Sequence, residues 1–166
     1  MCLYFYTMDS SMITRVVKSD LGNMIIDGDG RAIHSIGFTE YATNWNALTP
    51  PEKDAEKFMQ WCDQIAKFNF DEVVFELKAK TQFTKDVWEA IMHIPSGTTV
   101  SYKDLAIKMG KPNAVRAVAS ACAKNNLALL IPCHRVIRSD GELGLYRWGA
   151  DLKRRILESE KQNAKP

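Results

Sequence analysis

The stretch from Leu127 to Val136 constrains this chain more than any other. Five apolar residues, Leu127 to Ile131, lead into Pro132, and Cys133, His134 and Arg135 follow at once. The apolar run predicts a short buried strand, and Pro132 favours extended backbone just before the cysteine. Ser139-Asp140-Gly141 then predicts a turn. A thiol is therefore expected where a buried support gives way to a tight loop, a common position for a reactive group. On these residues alone Cys133 has two readings. It is either a small apolar side chain filling a core or a nucleophile favoured as thiolate by His134, Arg135 and Arg138. Adjacency in sequence does not decide between them, because catalytic partners meet in space.

At 166 residues the chain makes one or two small domains with room for a proper core. Its 46% hydrophobic and 25% charged content is that of an ordinary globular protein. No apolar run approaches the length of a membrane span. Met1 to Thr7 is apolar and aromatic but has no basic region and no clear cleavage site, so no signal peptide is expected. Cys2, Cys62, Cys122 and Cys133 form neither a CxxC pair nor a regular framework. Reduced thiols fit a cytoplasmic protein, or a nuclear one in a eukaryote. The net charge of +2 hides an asymmetry. Residues 1–80 hold 8 Lys+Arg against 12 Asp+Glu, a balance of −4, and residues 81–166 hold 14 against 8, a balance of +6. An anion such as nucleic acid is the expected partner of the second half, unless the charges are merely solvated.

In the first half, Ile13–Lys18, Met24–Asp27 and Ala32–Phe38 predict strands of a meander, separated by Asp20-Leu21-Gly22-Asn23 and Gly28-Asp29-Gly30. Residues 41–48 read as irregular. Pro50-Pro51 opens a helix with Glu52 and Asp54 in its first turn. Ala55, Phe58, Met59, Cys62, Ile65 and Ala66 form its apolar stripe. Phe70 to Leu77 predicts a further strand, leading to a domain boundary near Lys80. No catalytic constellation stands out here.

In the second half, Thr84 is placed to cap a helix running to about Ile94, with Val87, Trp88, Ile91 and Met92 inward. Ser101-x-x-Asp104 reads as a capping box for the next helix, which Gly110 stops. Lys111-Pro112-Asn113 introduces a third helix from about Ala114 to Ala123. Three short helices with a tight turn read as helix-turn-helix or as a plain helical subdomain. The third helix carries many alanines, which permit close packing or close approach to a nucleic-acid backbone. Tyr146, Arg147 and Trp148 follow a glycine-bearing loop and are either a base pocket or core. Leu152 to Glu160 predicts a final helix with Leu152, Ile156 and Leu157 inward.

Ile131-Pro132-Cys133-His134-Arg135-Val136 resembles the active-site signature of the O6-alkylguanine-DNA alkyltransferases. Val100-Ser101-Tyr102 resembles that family's DNA-handling tyrosine segment, and Ala114-Val115-Arg116-Ala117-Val118 its recognition helix with an intercalating arginine. Asn125 lies at the family's hinge asparagine, Gly144-Leu145-Tyr146-Arg147-Trp148-Gly149 at its substrate loop, and Glu160 at its final carboxylate. The resemblance runs from Phe83 to Glu160. It implies an α+β chain: residues 1–80 as a small β-meander-plus-helix domain, and residues 81–166 as a winged helix-turn-helix-like domain that carries the acceptor cysteine. It implies repair of O6-alkylguanine in double-stranded DNA, by irreversible, single-turnover transfer to Cys133 after base flipping. Cys133, His134, Glu160 and Tyr102 would carry the chemistry. Arg116, Ala117, Tyr102, Asn125 and Arg135 would meet DNA, with Arg116 entering from the minor groove. Val136, Tyr146, Arg147 and Trp148 would wall the pocket. A monomer without cofactor or metal is expected. Some relatives hold a structural zinc in the first domain, but Asp29 stands where a cysteine ligand would lie, and His34 reads as a strand residue. The alternatives are a non-enzymatic alkylguanine-binding relative, which would lack the cysteine, and a cysteine hydrolase, which would turn over.

Overall fold

A computed structural model describes residues 12–40 and 55–163. β1 (Ile13–Ser19), β2 (Gly22–Gly28) and β3 (Ile33–Thr39) form an antiparallel meander in the order β1-β2-β3. Gly22 takes the turn at φ +126°, a conformation that suits glycine. Gly28 is needed for a different reason. A Cβ there would lie 2.6 Å from the Ala32 carbonyl oxygen and 2.9 Å from the Phe58 ring. α1 (Ala55–Ala66) packs on the sheet with Phe58, Trp61, Cys62 and Ile65 buried. Trp61 replaces Met59 on the predicted stripe: Met59 is 38% exposed, while the Trp61 indole donates to the Glu72 carbonyl at 2.9 Å. The predicted irregular stretch 41–48 and the helix start around Pro50 lie outside the described residues.

The strand predicted over Phe70–Leu77 does not form. A single parallel bridge, Ile33 to Phe75, takes its place, made by Ile33 N–H to the Val74 carbonyl and Glu76 N–H to the Ile33 carbonyl. The segment follows the edge of β3 only briefly.

α2 (Gln82–Met92) is capped by Thr81, whose hydroxyl accepts from the Thr84 N–H at 3.2 Å. Thr84, the predicted cap, lies inside the helix and is buried. β4 (Val100–Ser101) leads directly into α3 (Tyr102–Lys108). Ser101 caps α3 as predicted: its hydroxyl accepts from the Asp104 N–H and donates to the Asp104 carboxylate. Gly110 ends the turn after it at φ +68°. A 3₁₀ turn, Pro112–Ala114, opens onto α4 (Val115–Ala123). The Trp88 indole donates to the Ala121 carbonyl and seats α4 on α2. β5 (Val136–Ile137) pairs in parallel with β4, and α5 (Ala150–Asn163) closes the described chain.

The apolar run Leu127–Ile131 is buried throughout but is not the predicted strand. Ile36 of β3 donates to the Asn126 carbonyl at 2.8 Å and accepts from the Ala128 N–H at 3.0 Å, and the ladder stops there. Two tight turns follow. Leu130 N–H bonds the Ala128 carbonyl across Leu129, which sits at φ +71°, in the manner of a γ-turn. Cys133 N–H then bonds the Ile131 carbonyl at 2.7 Å across Pro132 at φ −77°, ψ +58°. That is an inverse γ-turn, not the extended backbone expected of Pro132. Burial supplies the apolar signal here, while i to i+2 hydrogen bonds consume the backbone groups that a strand would pair. One contiguous apolar core joins these residues to the sheet, to α1 and to α2.

Candidate active site

Cys133 begins a 3₁₀ turn, Cys133–Arg135, directly after the inverse γ-turn. Its side chain is 6% exposed, and Asn125 holds it. The Asn125 amide nitrogen donates to Cys133 Sγ at 3.0 Å and to the Ile131 carbonyl at 2.8 Å. Its amide oxygen accepts from Leu127 N–H at 2.8 Å. One buried asparagine therefore ties the end of α4 to Leu127, to the Ile131–Cys133 turn and to the sulfur. Burial pushes the Cys133 thiol up, and the Asn125 donor and the Lys153 charge pull against it. The bare pocket favours the thiol, so forming the thiolate requires a base.

His134 is 1% exposed, and its Nε2 lies 2.9 Å from Glu160 Oε1. Its Nδ1 is buried and has no hydrogen-bond partner among the described residues. Burial lowers the His134 pKa, Glu160 opposes that, and Arg135 and Lys153 reinforce it. Burial alone would raise Glu160, but hydrogen bonds from His134 and Arg135 outweigh it and bring the carboxyl down to about 2. Gly97 N–H also donates to Glu160 Oε2 at 3.2 Å. Glu160 is thus a fixed carboxylate and not the solvated residue its place near the C-terminus allows.

Tyr102 opens α3, and burial raises its hydroxyl to about 12, with the nearby thiols adding to the effect. Gly144 passes it closely: a Cβ there would lie 3.6 Å from the Tyr102 hydroxyl. Tyr146 and Trp148 meet edge to face at 5.2 Å, and Trp148 meets Phe38 of β3 at 6.1 Å. The Tyr146 hydroxyl is buried without a hydrogen-bond partner among the described residues. Arg147 lies over the Trp148 ring and reaches the Asn125 carbonyl at 3.5 Å. Val136 is fully buried in β5. The loop therefore packs against β3 as well as against the site. At its tip Leu145 is 96% exposed.

Arg116 and Ala117 lie exposed on α4. Arg135, expected at the DNA, also makes contacts within the protein. Its side chain is 16% exposed, and it donates to Glu160 and to the Ile94 carbonyl. Sequence reasoning missed Lys153, which is fully buried and donates to the Val136 and Leu143 carbonyls at 2.7 and 2.5 Å. Burial lowers it to about 8. The signal was present: Lys153 precedes Ile156 and Leu157 by three and four residues, on the inward stripe of α5. Among the described residues no group of three or more His, Cys, Asp or Glu could hold a metal. His34 is engaged by Lys78, Asp29 and Glu76.

A family profile for the DNA-binding domain of 6-O-methylguanine DNA methyltransferase matches residues 82–162. A methylated-DNA–protein-cysteine methyltransferase of Mycobacterium bovis is 35% identical, with 90% of this chain and 93% of that protein covered. The chain belongs to the O6-methylguanine-DNA methyltransferase family. The family's bifunctional transcriptional activator/DNA repair enzyme Ada of Escherichia coli is 58% identical over 83 residues, covering 50% of this chain and 23% of that protein. The matched stretch spans between 23% and 49% of the length of Ada and of four other family members. The crystal structure of Mycobacterium tuberculosis OGT in complex with DNA superposes with a TM-score of 0.76 at 33% identity, covering 91% of this chain and 94% of that one. No described helix is long and apolar enough to cross a membrane.

Proposed function

We propose that the protein repairs O6-alkylguanine in double-stranded DNA by moving the alkyl group, a methyl in the simplest case, to its own Cys133. The observation that carries this reading is a buried, asparagine-held sulfur in the same turn as His134, whose ring is held by Glu160 of α5. His134 Nδ1 is the free base position and takes the Cys133 proton through a bridging water. Sγ then attacks the alkyl carbon. The bond from carbon to O6 breaks, and its electrons leave with the guanine. The Tyr102 hydroxyl supplies a proton to the departing base. Displacement at a saturated carbon forms no tetrahedral oxyanion, so no oxyanion hole is needed. The thioether product is not readily hydrolysed, so each molecule acts once.

The lesion lies inside a duplex and must be flipped out. Arg116 and Ala117, exposed on α4, are the residues assigned to the minor groove, with Arg116 filling the gap. Val136, Tyr146, Arg147 and Trp148 wall the base pocket. Residues 81–166 form the DNA-binding and acceptor domain, and residues 1–80 a supporting one. The protein acts as a monomer wherever the genome lies, in the cytoplasm of a bacterium or the nucleus of a eukaryote. A non-enzymatic binder would need no nucleophile, and Cys133 opposes that alternative. The test is mass spectrometry after incubation with excess O6-methylguanine duplex. One added methyl, mapped to Cys133, is expected. Continuous turnover, or a methyl on Cys62 or Cys122, refutes the reading.

A further inference from the structure

We propose that Arg135 is a positioning residue of the acceptor site: by sharing Glu160 with His134 it holds the imidazole neutral and ready to accept the thiol proton. The inference rests on the alkyl-transfer reading above. All three guanidinium nitrogens are used inside the protein. Nε donates to both Glu160 oxygens at 3.1 Å, one terminal nitrogen to Oε1 at 2.7 Å, and the other to the Ile94 carbonyl at 2.6 Å. This is a fork on a carboxylate, the geometry at which arginine exceeds lysine. Glu160 Oε1 is thus shared between Arg135 and His134 Nε2, while Oε2 also takes the Gly97 N–H. Three pieces of chain meet at this carboxylate: the Cys133–Arg135 turn, the segment after α2, and α5.

The sharing has an electrostatic consequence. A buried carboxylate paired with histidine alone raises the basicity of the imidazole, and a strongly raised His134 would rest as imidazolium. An imidazolium cannot take a proton from the thiol. The guanidinium is permanently charged and sits on the same oxygen, so it neutralises much of the carboxylate's pull. The groups facing His134 are Glu160 and Lys153 from α5 and Arg135 on its own turn, with Cys133 beside it. Tyr146 faces both Cys133 and Glu160 from the substrate loop. The directions agree with this arrangement: Glu160 is held low, and His134 lies below its ordinary value, with burial first and the Arg135 and Lys153 charges adding to it.

The two halves of one ion pair should therefore act oppositely on the pH profile. The experiment follows single-turnover alkylation of Cys133 by free O6-benzylguanine, which needs neither DNA nor base flipping, from pH 5 to 9. Arg135→Met should move the acid limb up by roughly one pH unit, because a charge in direct contact is lost. Arg135→Lys should move it in the same direction by less, since charge remains and the fork does not. Glu160→Gln should move the limb down and lower the plateau. Duplex affinity and its salt dependence should stay unchanged in both Arg135 variants. A lower plateau with an unmoved limb in both Arg135 variants overturns the proposal and leaves Arg135 a mere brace. A salt slope reduced by about one overturns it in favour of a phosphate contact. If Arg135→Met fails to fold, Arg135→Lys and an NMR titration of the His134 ring decide the matter. Failure of the wild type to alkylate Cys133 refutes the parent reading instead.

Discussion

Removing the Glu160 charge should change how stability depends on pH, by an amount the site predicts. The carboxyl falls from 4.5 to about 2 in the folded protein. Each pKa unit is worth about 1.4 kcal/mol, so ionised Glu160 contributes about 3 kcal/mol. The side chain is 15% exposed, so solvent screening reduces this figure little. The sign follows from linkage. The folded pKa is depressed, so the contribution is fully present above the unfolded value of 4.5 and is lost as pH falls through 2. Glu160→Gln removes it at every pH and leaves Arg135 without its counter-charge. At pH 7 the variant should be less stable by about 3 kcal/mol, a drop of roughly 10 °C in melting temperature for a chain of this size. Near pH 2 the gap should close to under about 1 kcal/mol. Urea unfolding of both proteins at pH 7, 4.5, 3 and 2 measures this directly. Stability curves that run parallel from pH 7 to pH 2 would refute the reasoning, because Glu160 would then titrate alike in the folded and unfolded chains.

Arg116→Ala should slow repair of a base-paired lesion at least several-fold more than reaction with free O6-benzylguanine, because only the first needs a flipped base; equal losses on both substrates contradict the role given to Arg116. Asn125→Ala should cost about 1–3 kcal/mol, since it leaves the Leu127 N–H buried without a partner and strips one of two donors from the Ile131 carbonyl. It should also slow alkylation by freeing the Cys133 sulfur. Denaturant midpoints and single-turnover rates check both effects, and an unchanged rate in folded Asn125→Ala removes that residue from the site.

Local pattern determined much of this protein. Alternation and turn residues set the meander, Ser101 set the start of α3, and the neighbouring Cys133 and His134 marked the reactive turn. These features depend on residues a few positions apart, where spacing alone fixes geometry. The misreadings share one cause. Leu127–Ile131 looked like a strand because burial and β structure give the same apolar run, and only β3, offering a single bridge, decided otherwise. Met59 and Trp61 exchanged places because the sheet beneath α1, not the helix period, chose the buried face. Lys153 was missed because only the tertiary fold brings the carbonyls of Val136 and Leu143 to its tip. The inward partners of Arg135 were hidden for the same reason. Its partners Ile94 and Glu160 lie 41 and 25 residues away, and Gly97 reaches Glu160 across 63. A charged side chain looks alike in sequence whether it meets water, phosphate or a buried carboxylate, and only packing distant segments together assigns its partner.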